Sequence, residues 1–335
     1  MAKKPDEIAK ALGVSITTVR LVLGGKAEKY RISKATQARI NEYVAEHGVK
    51  FDLTARSLKL KRTNTFGLII PRLSNPFFAK LSEELEHRCR KQGYQLIISC
   101  SNSDEETEKT LVNGLVQRNV DGLFVVSSTV QSQQYLGKTI SKPLVFLDRG
   151  YGQTKAPVIT SSNFEGGKDL STAISAYAEG EPVYFLIGGC QQPTIMERAR
   201  GYAQVMPEGQ KAGWIINSER NRTSDGEQMM LALWDKLGKA PQNLMVSSLP
   251  VLEGALAVLR GKLGHIPADM RLATFDENQM LDFLPNEIWS LKQNEAEWAT
   301  AALQAMKETL EGETPSGKTI MTSLIHRSRD NSVKV

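Results

Sequence analysis

Four charged side chains stand where a ligand could use them. The pair Asp148 and Arg149 closes an apolar run at 144–147, Asp276 closes another at 272–275, and Arg198 opens a helix-like segment, ERARGY, beyond a run at 183–187. Charges at the ends of buried strands need partners. A carboxylate accepts from a hydroxyl and a guanidinium donates to one, so the set suits a polyhydroxylated ligand such as a sugar. The two arginines together would also suit a phosphate. A surface ion pair accounts for Arg198 equally well on these residues alone. Other apolar runs also end in polar residues: Asn75, Ser101, Ser127, Ser128, Asn217, Ser247, Ser248 and Glu277, with Gly188 and Gly189 after the run at 183–187. For the serines, helix capping is the favoured reading.

Other chemistries find little support. Cys89, Cys100 and Cys190 are too few and too scattered for a disulfide framework or a zinc site, and the four histidines have no ligand spacing. No nucleophile elbow, HExxH or paired-carboxylate helix is present, so an enzyme would lack visible machinery. Residues 312–319, GETPSGKT, fit the phosphate-loop pattern letter for letter. That loop needs a strand before it and a helix after it, so that amides and a helix N-terminus cradle phosphate. Here a helical stretch precedes and a strand-like TIMTSLI follows, and Pro315 removes an amide donor. No nucleotide, metal or cofactor is expected.

The elements that must position the four charges alternate along the chain. Strand candidates fall at 66–70, 95–99, 122–126, 144–147, 157–160, 183–187, 213–216, 244–246 and 272–275. Helix candidates fall at 77–91, 105–117, 165–178, 195–205, 224–237, 251–263 and 295–311. Repeated βα alternation predicts parallel sheets covered by helices on both faces. About 270 residues exceed one comfortable core, so two α/β lobes with a cleft are expected. In such sheets ligands bind beyond the carboxyl ends of the strands, which is where the charges stand.

The first 64 residues differ. They hold 14 Lys and Arg against 6 Asp and Glu, a net of +8, whereas the other 271 residues hold 28 against 31, a net of −3. All the excess charge of the 335-residue chain, +5, therefore sits at one end. That asymmetry suggests an arm for nucleic acid or a membrane surface. Ile8, Ala9 and Leu12 have helical spacing, Pro5 suits a first turn, and Gly13 suits the residue past the end. Ser15 is a good N-cap for a second helix, 16–23. Two short helices joined by a tight glycine-containing turn form the helix-turn-helix pattern. Its second helix would expose Ile16, Thr17 and Arg20 to base edges and bury Val19 and Leu23. A third helix is expected from a Ser33 cap to about His47, with Ile40, Tyr43 and Val44 inward. These features together read as DNA binding. The basic stretch that follows, with Ala55, Arg56 and Leu58, reads as a charged linker; a short helix folding on DNA, Leu58 wedged into the minor groove, is the alternative.

Composition agrees with a globular chain: 41% hydrophobic, 24% charged and 7% aromatic. No apolar run approaches the ~18 residues of a membrane span, and the N-terminus shows no secretory pattern. A cytoplasmic location is expected.

The residues resemble the lac repressor (LacI/GalR) family of transcription regulators along nearly the whole chain. The resemblance rests on DEIAKALGVSITTVRLVLGG, ARSLKLKRTNTFGLIIP, NPFFAKLSEELE, FLDRG, ERARGY and LATFDEN. Within the family the chain resembles the sucrose and fructose operon repressors, through KAEKYRIS after the second helix, GYQLIISCSNSDEETE, VLEGAL and FDENQMLDFL. The resemblance implies a helix-turn-helix headpiece at 1–50, a hinge helix at 51–64, and a core like a periplasmic sugar-binding protein crossed by three strands between lobes. One lobe would comprise 65–160 and 293–318, the other 161–292 and 319–335. It implies a homodimer on pseudo-palindromic double-stranded operator DNA, a sugar or sugar-phosphate effector that releases it, and control of a sugar-utilisation operon. A fructose-phosphate-responsive regulator with wider control is the alternative. No leucine heptad follows residue 327, which favours a dimer over a tetramer.

Carried over position by position, Ile16, Thr17 and Arg20 would read bases and Ser15 and Thr18 would contact backbone. Leu58 would be the minor-groove wedge, with Ala55 and Arg56 in the hinge helix. Asp148, Arg149, Arg198 and Asp276 would line the effector pocket. The chain departs from its relatives at Arg20, usually Ser, and at Ile16, where an apolar contact to a thymine methyl would replace a polar one.

Overall fold

The computed structural model describes residues 2–49, 62–152, 154–207, 211–328 and 333–334, in two compact units divided between Thr63 and Asn64. Ala55, Arg56 and Leu58 lie outside the described residues.

Among the described residues, the first unit has three helices: α1 (Pro5–Leu12), α2 (Ile16–Leu23) and α3 (Lys34–His47). Local sequence sets each boundary. Pro5 opens α1, and Gly13 ends it in a left-handed conformation at φ 65°. The Ser15 hydroxyl accepts from the Thr18 amide at 3.0 Å, and Ser33 caps α3 through the Thr36 amide at 3.2 Å. Ile8, Ala9, Val19, Val22, Ala27 and Ile40 form the buried core. Val22 therefore takes the inward place expected of Leu23, which is half-buried beside it; Tyr43 and Val44 are half-buried too. Arg39 donates to the Leu12 carbonyl at 2.9 Å and ties α3 to the end of α1.

The second unit holds two sheets. The strands of the first are β1 (Thr65–Ile70), β2 (Gln95–Cys100), β3 (Gly122–Val125), β4 (Leu144–Leu147), β5 (Val158–Ser161) and the returning β11 (Lys318–Ile320), all parallel, in the order β11-β5-β4-β3-β1-β2. The second contains β6 (Val183–Gly188), β7 (Ile215–Ser218), β8 (Asn243–Val246), β9 (Arg271–Phe275), β10 (Glu287–Lys292), β12 (Ser323–Arg327) and β13 (Val333–Lys334), in the order β13-β12-β10-β9-β8-β6-β7. Among the described residues, only β12 and β13 run antiparallel to their neighbours. Helices cover both faces: Pro76–Lys91, Glu105–Gln117, Val130–Thr139 and Glu295–Leu310 on the first lobe, and Asn163–Ser175, Pro193–Val205, Thr223–Leu237 and Leu249–Leu263 on the second. Successive strand residues feed opposite cores. Phe66, Leu68 and Ile70 pack with Trp298 on one face, and Ile69 packs with Val112 and Leu136 on the other. Such two-sided burial is what all-parallel strands need.

Two elements escape a periodicity reading. Helix Val130–Thr139 buries Ser132, Gln133 and Leu136, so its inner face is largely polar. Strand β10 buries four consecutive residues, leaving no alternation to see. The strand expected at 213–216 starts at Ile215, because Lys211–Trp214 forms a helical turn. The run TIMTSLI is not one strand: Lys318–Ile320 ends the first sheet and Ser323–Arg327 joins the second. The third crossing thus falls at 321–322 rather than 318–319, and Ser161 belongs to the first sheet rather than the second lobe. The phosphate-loop look-alike joins helix Glu295–Leu310 to β11, with a strand where that loop requires a helix.

The crossings are bonded to one another. Ser161 donates to Gln293 Oε1 at 2.6 Å, Trp298 Nε1 donates to the Ser161 hydroxyl at 3.0 Å, and the Thr322 amide donates to the Ser162 hydroxyl at 3.1 Å. The lobes are therefore joined through a polar hinge.

Candidate functional site

The C-terminal ends of strands from both sheets open on one cleft of about 580 Å³. Asp148, Arg149, Arg198 and Asp276 all line it, each more than nine-tenths buried. Asp148 and Asp276 adopt left-handed backbone, φ 64° and 72°, directly after β4 and β9. Such strain in a non-glycine residue persists only where surroundings enforce it, and it clusters at ligand sites.

Each charge is held from behind. Arg198 Nε donates to Asn163 Oδ1 at 2.9 Å and its Nη1 to the Ser247 carbonyl at 2.7 Å, and the guanidinium lies 4.1 Å above the Phe275 ring. Its helix sits backbone to backbone with Asn163–Ser175: a Cβ on Gly167 would overlap the Arg198 carbonyl, and one on Gly201 the Phe164 carbonyl. Glycine at those positions sets how deep Arg198 reaches. Asp276 Oδ1 accepts from Gln293 Nε2 at 2.6 Å. Through Asn163 and Gln293, both second-lobe charges are hydrogen-bonded to the crossing segments. Arg149 lies 3.7 Å from the Asp148 carboxylate, and its Nη1 reaches the Ser127 carbonyl at 3.3 Å. The contact with Asp148 is made by its Nε, which has no hydrogen-bond partner among the described residues. Behind it the buried carboxylate of Glu108 accepts from the Ser128 amide at 2.6 Å and the Ser132 hydroxyl at 2.5 Å.

Burial pushes the Asp148 carboxyl above its ordinary range, and Arg149 and Arg198 oppose the rise while Asp276 adds to it. Burial also raises Asp276, against Arg198 and the Gln293 amide. Burial lowers Arg198, against both carboxylates. The floor of the cleft is thus two acceptors and two donors held out of water. A ligand with several hydroxyls can replace that water, and an apolar one cannot.

The strand-end rule gave a mixture. Asn75, Ser128 and Ser248 line the cleft, whereas Ser101, Ser127, Gly188, Gly189, Asn217, Ser247 and Glu277 do not. Asn75 also caps its helix, through the Phe77 amide. Ser127 and Ser247 serve through their carbonyls, and Glu277 turns away to Arg327 and Ser290. Asn163 and Gln293 were missed, although both follow strand ends. Arg220 and Arg222 also line the cleft and follow β7, in a legible ERNR run.

In the first unit, Ile16, Thr17 and Arg20 project from α2 into solvent, Ile16 at 41% exposure, opposite buried Val19 and Val22. Ser15 is exposed and Thr18 half-buried; their hydroxyls lie 2.8 Å apart. A small core thus presents one helix face free of internal duty.

Residues 66–314 match the family model of the periplasmic binding protein domain. The fructose operon regulatory protein of Vibrio cholerae serotype O1 is 32% identical over 294 residues, covering 86% of this chain and 88% of that protein. The sucrose operon repressor of Klebsiella pneumoniae is 30% identical over 314 residues, covering 92% of each. Among solved structures, the Cra transcriptional dual regulator from Pseudomonas putida in complex with fructose 1-phosphate superposes with a TM-score of 0.70 at 25% identity, over 79% of this chain and 99% of that one. The lac repressor dimer bound to operator and an anti-inducer has a TM-score of 0.80 at 17% identity, over 100% and 99% of the two chains, a likeness of fold. The chain belongs to the lac repressor (LacI/GalR) family of transcription regulators, with a core like that of the periplasmic binding proteins. Among the described residues, no helix is long and apolar enough to cross a membrane.

Proposed function

We propose that this chain is a sequence-specific transcriptional repressor of a sugar-utilisation operon, of the sucrose and fructose type. It binds a pseudo-palindromic operator as a homodimer, in the cytoplasm, and is released when a sugar or sugar phosphate enters the cleft. The carrying observation is one chain that joins an exposed basic helix-turn-helix unit to a cleft floored by four buried charges of both signs. Ile16, Thr17 and Arg20 read base edges, and Ser15 and Thr18 hold the backbone. Residues 51–64 form the hinge, with Leu58 as the minor-groove wedge beside Ala55 and Arg56. Effector bound between Asp148, Arg149, Arg198 and Asp276 draws the lobes together, and the crossing segments bonded to Asn163 and Gln293 take up the motion. The reaction scheme contains no bond-making step, so bound sugar leaves unchanged.

Selection of duplexes from a random pool by the full-length protein tests this reading. It predicts recovery of an inverted repeat with half-sites about one helical turn apart, and affinity falling steeply with salt. Recovery of no preferred sequence, or turnover of bound sugar, contradicts it.

A further inference from the structure

Beyond the four floor charges, the cleft has a second cationic group that sugar hydroxyls do not explain. Arg72 follows β1 in the first lobe; Arg220 and Arg222 follow β7 in the second; all three line the cleft. None forms an ion pair with a described carboxylate. Three acids stand nearby, and Asp104 and Glu219 line the same cleft. Asp225 accepts from the Ser218 hydroxyl at 2.8 Å and the Arg222 amide at 3.2 Å, Asp104 accepts from the Thr107 amide, and Glu219 is exposed. Partial burial, then Arg72 and then Arg220, disfavour the charged form of Arg222, with only Asp225 opposing. Guanidinium groups from both lobes thus line one cleft, none of them in an ion pair among the described residues.

The helix ends around the cleft divide the same way. In the first lobe each helix that opens on it is capped by its own side chain: Asn75 on the Phe77 amide at 3.0 Å, Asp104 on Thr107 at 2.8 Å, Thr129 on Ser132 at 3.0 Å. In the second lobe Gln192 and Ser248 precede helices of 13 and 15 residues and make no side-chain cap bond, whereas at the third helix end Asp225 accepts from the Arg222 amide. Uncapped N-termini present free amides and the positive end of the helix dipole. Guanidinium groups and open helix ends on one wall together fit a dianion.

We propose that the effector is a phosphorylated sugar whose phosphoryl group is clamped between Arg72 of the first lobe and Arg220 and Arg222 of the second, while its hydroxyls occupy the Asp148, Arg149, Arg198 and Asp276 floor. This rests on the sensor reading above and names its ligand class. Like charges across the open cleft resist closure, and the phosphoryl group converts that repulsion into a bridge. An unphosphorylated sugar can occupy the floor but leaves the repulsion in place.

Operator release and calorimetric binding by the full-length protein test the clamp, with fructose 1-phosphate, fructose 6-phosphate, sucrose 6-phosphate, D-fructose, sucrose and inorganic phosphate as probes. Arg72→Gln and Arg222→Gln are compared with wild type, and Arg72→Lys and Arg222→Lys serve where a Gln variant does not fold. We expect a phosphorylated sugar to release operator and its unphosphorylated parent to bind at least tenfold more weakly. Inorganic phosphate should compete with the sugar phosphate, each Gln variant should weaken the sugar phosphate at least tenfold, and each Lys variant should lose less. Equal binding of a sugar and its phosphate, or unchanged sugar-phosphate binding in the variants, overturns the clamp alone. Failure of every probe to bind wild type overturns the sensor reading and the clamp with it.

Discussion

The N-terminal unit and the cleft of the C-terminal unit treat charge in opposite ways. In the first, Arg20 stands in solvent on a helix that owes its place to Val19 and Val22. In the second, Asp148, Arg149, Arg198 and Asp276 keep between 4% and 7% exposure. Exposed charge costs little to carry and meets a polyanion by long-range attraction that salt screens. Buried charge is costly to carry, is screened little, and is oriented before the ligand arrives. A reader of DNA profits from the first arrangement and a discriminator of small polar molecules from the second.

Arg198→Ala breaks the comparison most severely. It leaves Asp276 and Asp148 buried beside a lost cation and removes the bonds to Asn163 and Ser247. Each hydrogen bond lost from such a charged group costs about 1.5–3 kcal/mol. Thermal unfolding should show the core destabilised, and effector titration should show release abolished while the operator is still bound. Normal release by this variant would remove Arg198 from the site.

Ile40→Ala is the counterpart in the other unit. Its core contains only a handful of buried apolar side chains, and units of this size are marginal. A loss of about 2–5 kcal/mol is expected. Circular dichroism and DNA binding should both register an unfolded headpiece, with effector binding in the cleft unchanged. A smaller step follows from Arg20→Ala, which removes an exposed donor without touching the core. Specific binding should weaken by about 1–3 kcal/mol and preference relax at one base pair of each half-site. Equal loss on specific and random duplexes would make Arg20 a phosphate contact.

The smallest effect is with pH. Burial holds Asp148 and Asp276 above the ordinary carboxylate range, so the folded protein takes up these protons at higher pH than the unfolded chain. Stability linked to them is full below the unfolded value and lost as pH rises through the folded one. Hydroxyl recognition needs the ionised form and runs the other way. Acidification through that window should weaken effector binding while supporting thermal stability, and Asp276→Asn should flatten both trends.

What could be read in advance was what the chain encodes locally. Pro5, Gly13, Ser15 and Ser33 fix helix ends through their own neighbours, so the first unit was legible almost to the residue. The charged floor was legible because strand ends bring ligand groups together in parallel sheets. Helix Val130–Thr139 was not, because a polar inner face is stabilised by tertiary bonds such as Gln133 to the Arg149 carbonyl at 2.8 Å. The run 318–327 divides between sheets for a reason no local pattern carries: its two halves find partners in different lobes. That Arg72 and Arg222, 150 residues apart in sequence, line one cleft is of the same kind.

The central claim is that reader and sensor are coupled, and coupling is reciprocal. Affinity of the full-length protein for its selected operator, measured with and without saturating effector, tests it directly. The account predicts a loss of about 5–150-fold, the usual range of allosteric coupling, and the same factor when effector affinity is measured with and without operator. Operator affinity unchanged at effector saturation would contradict it.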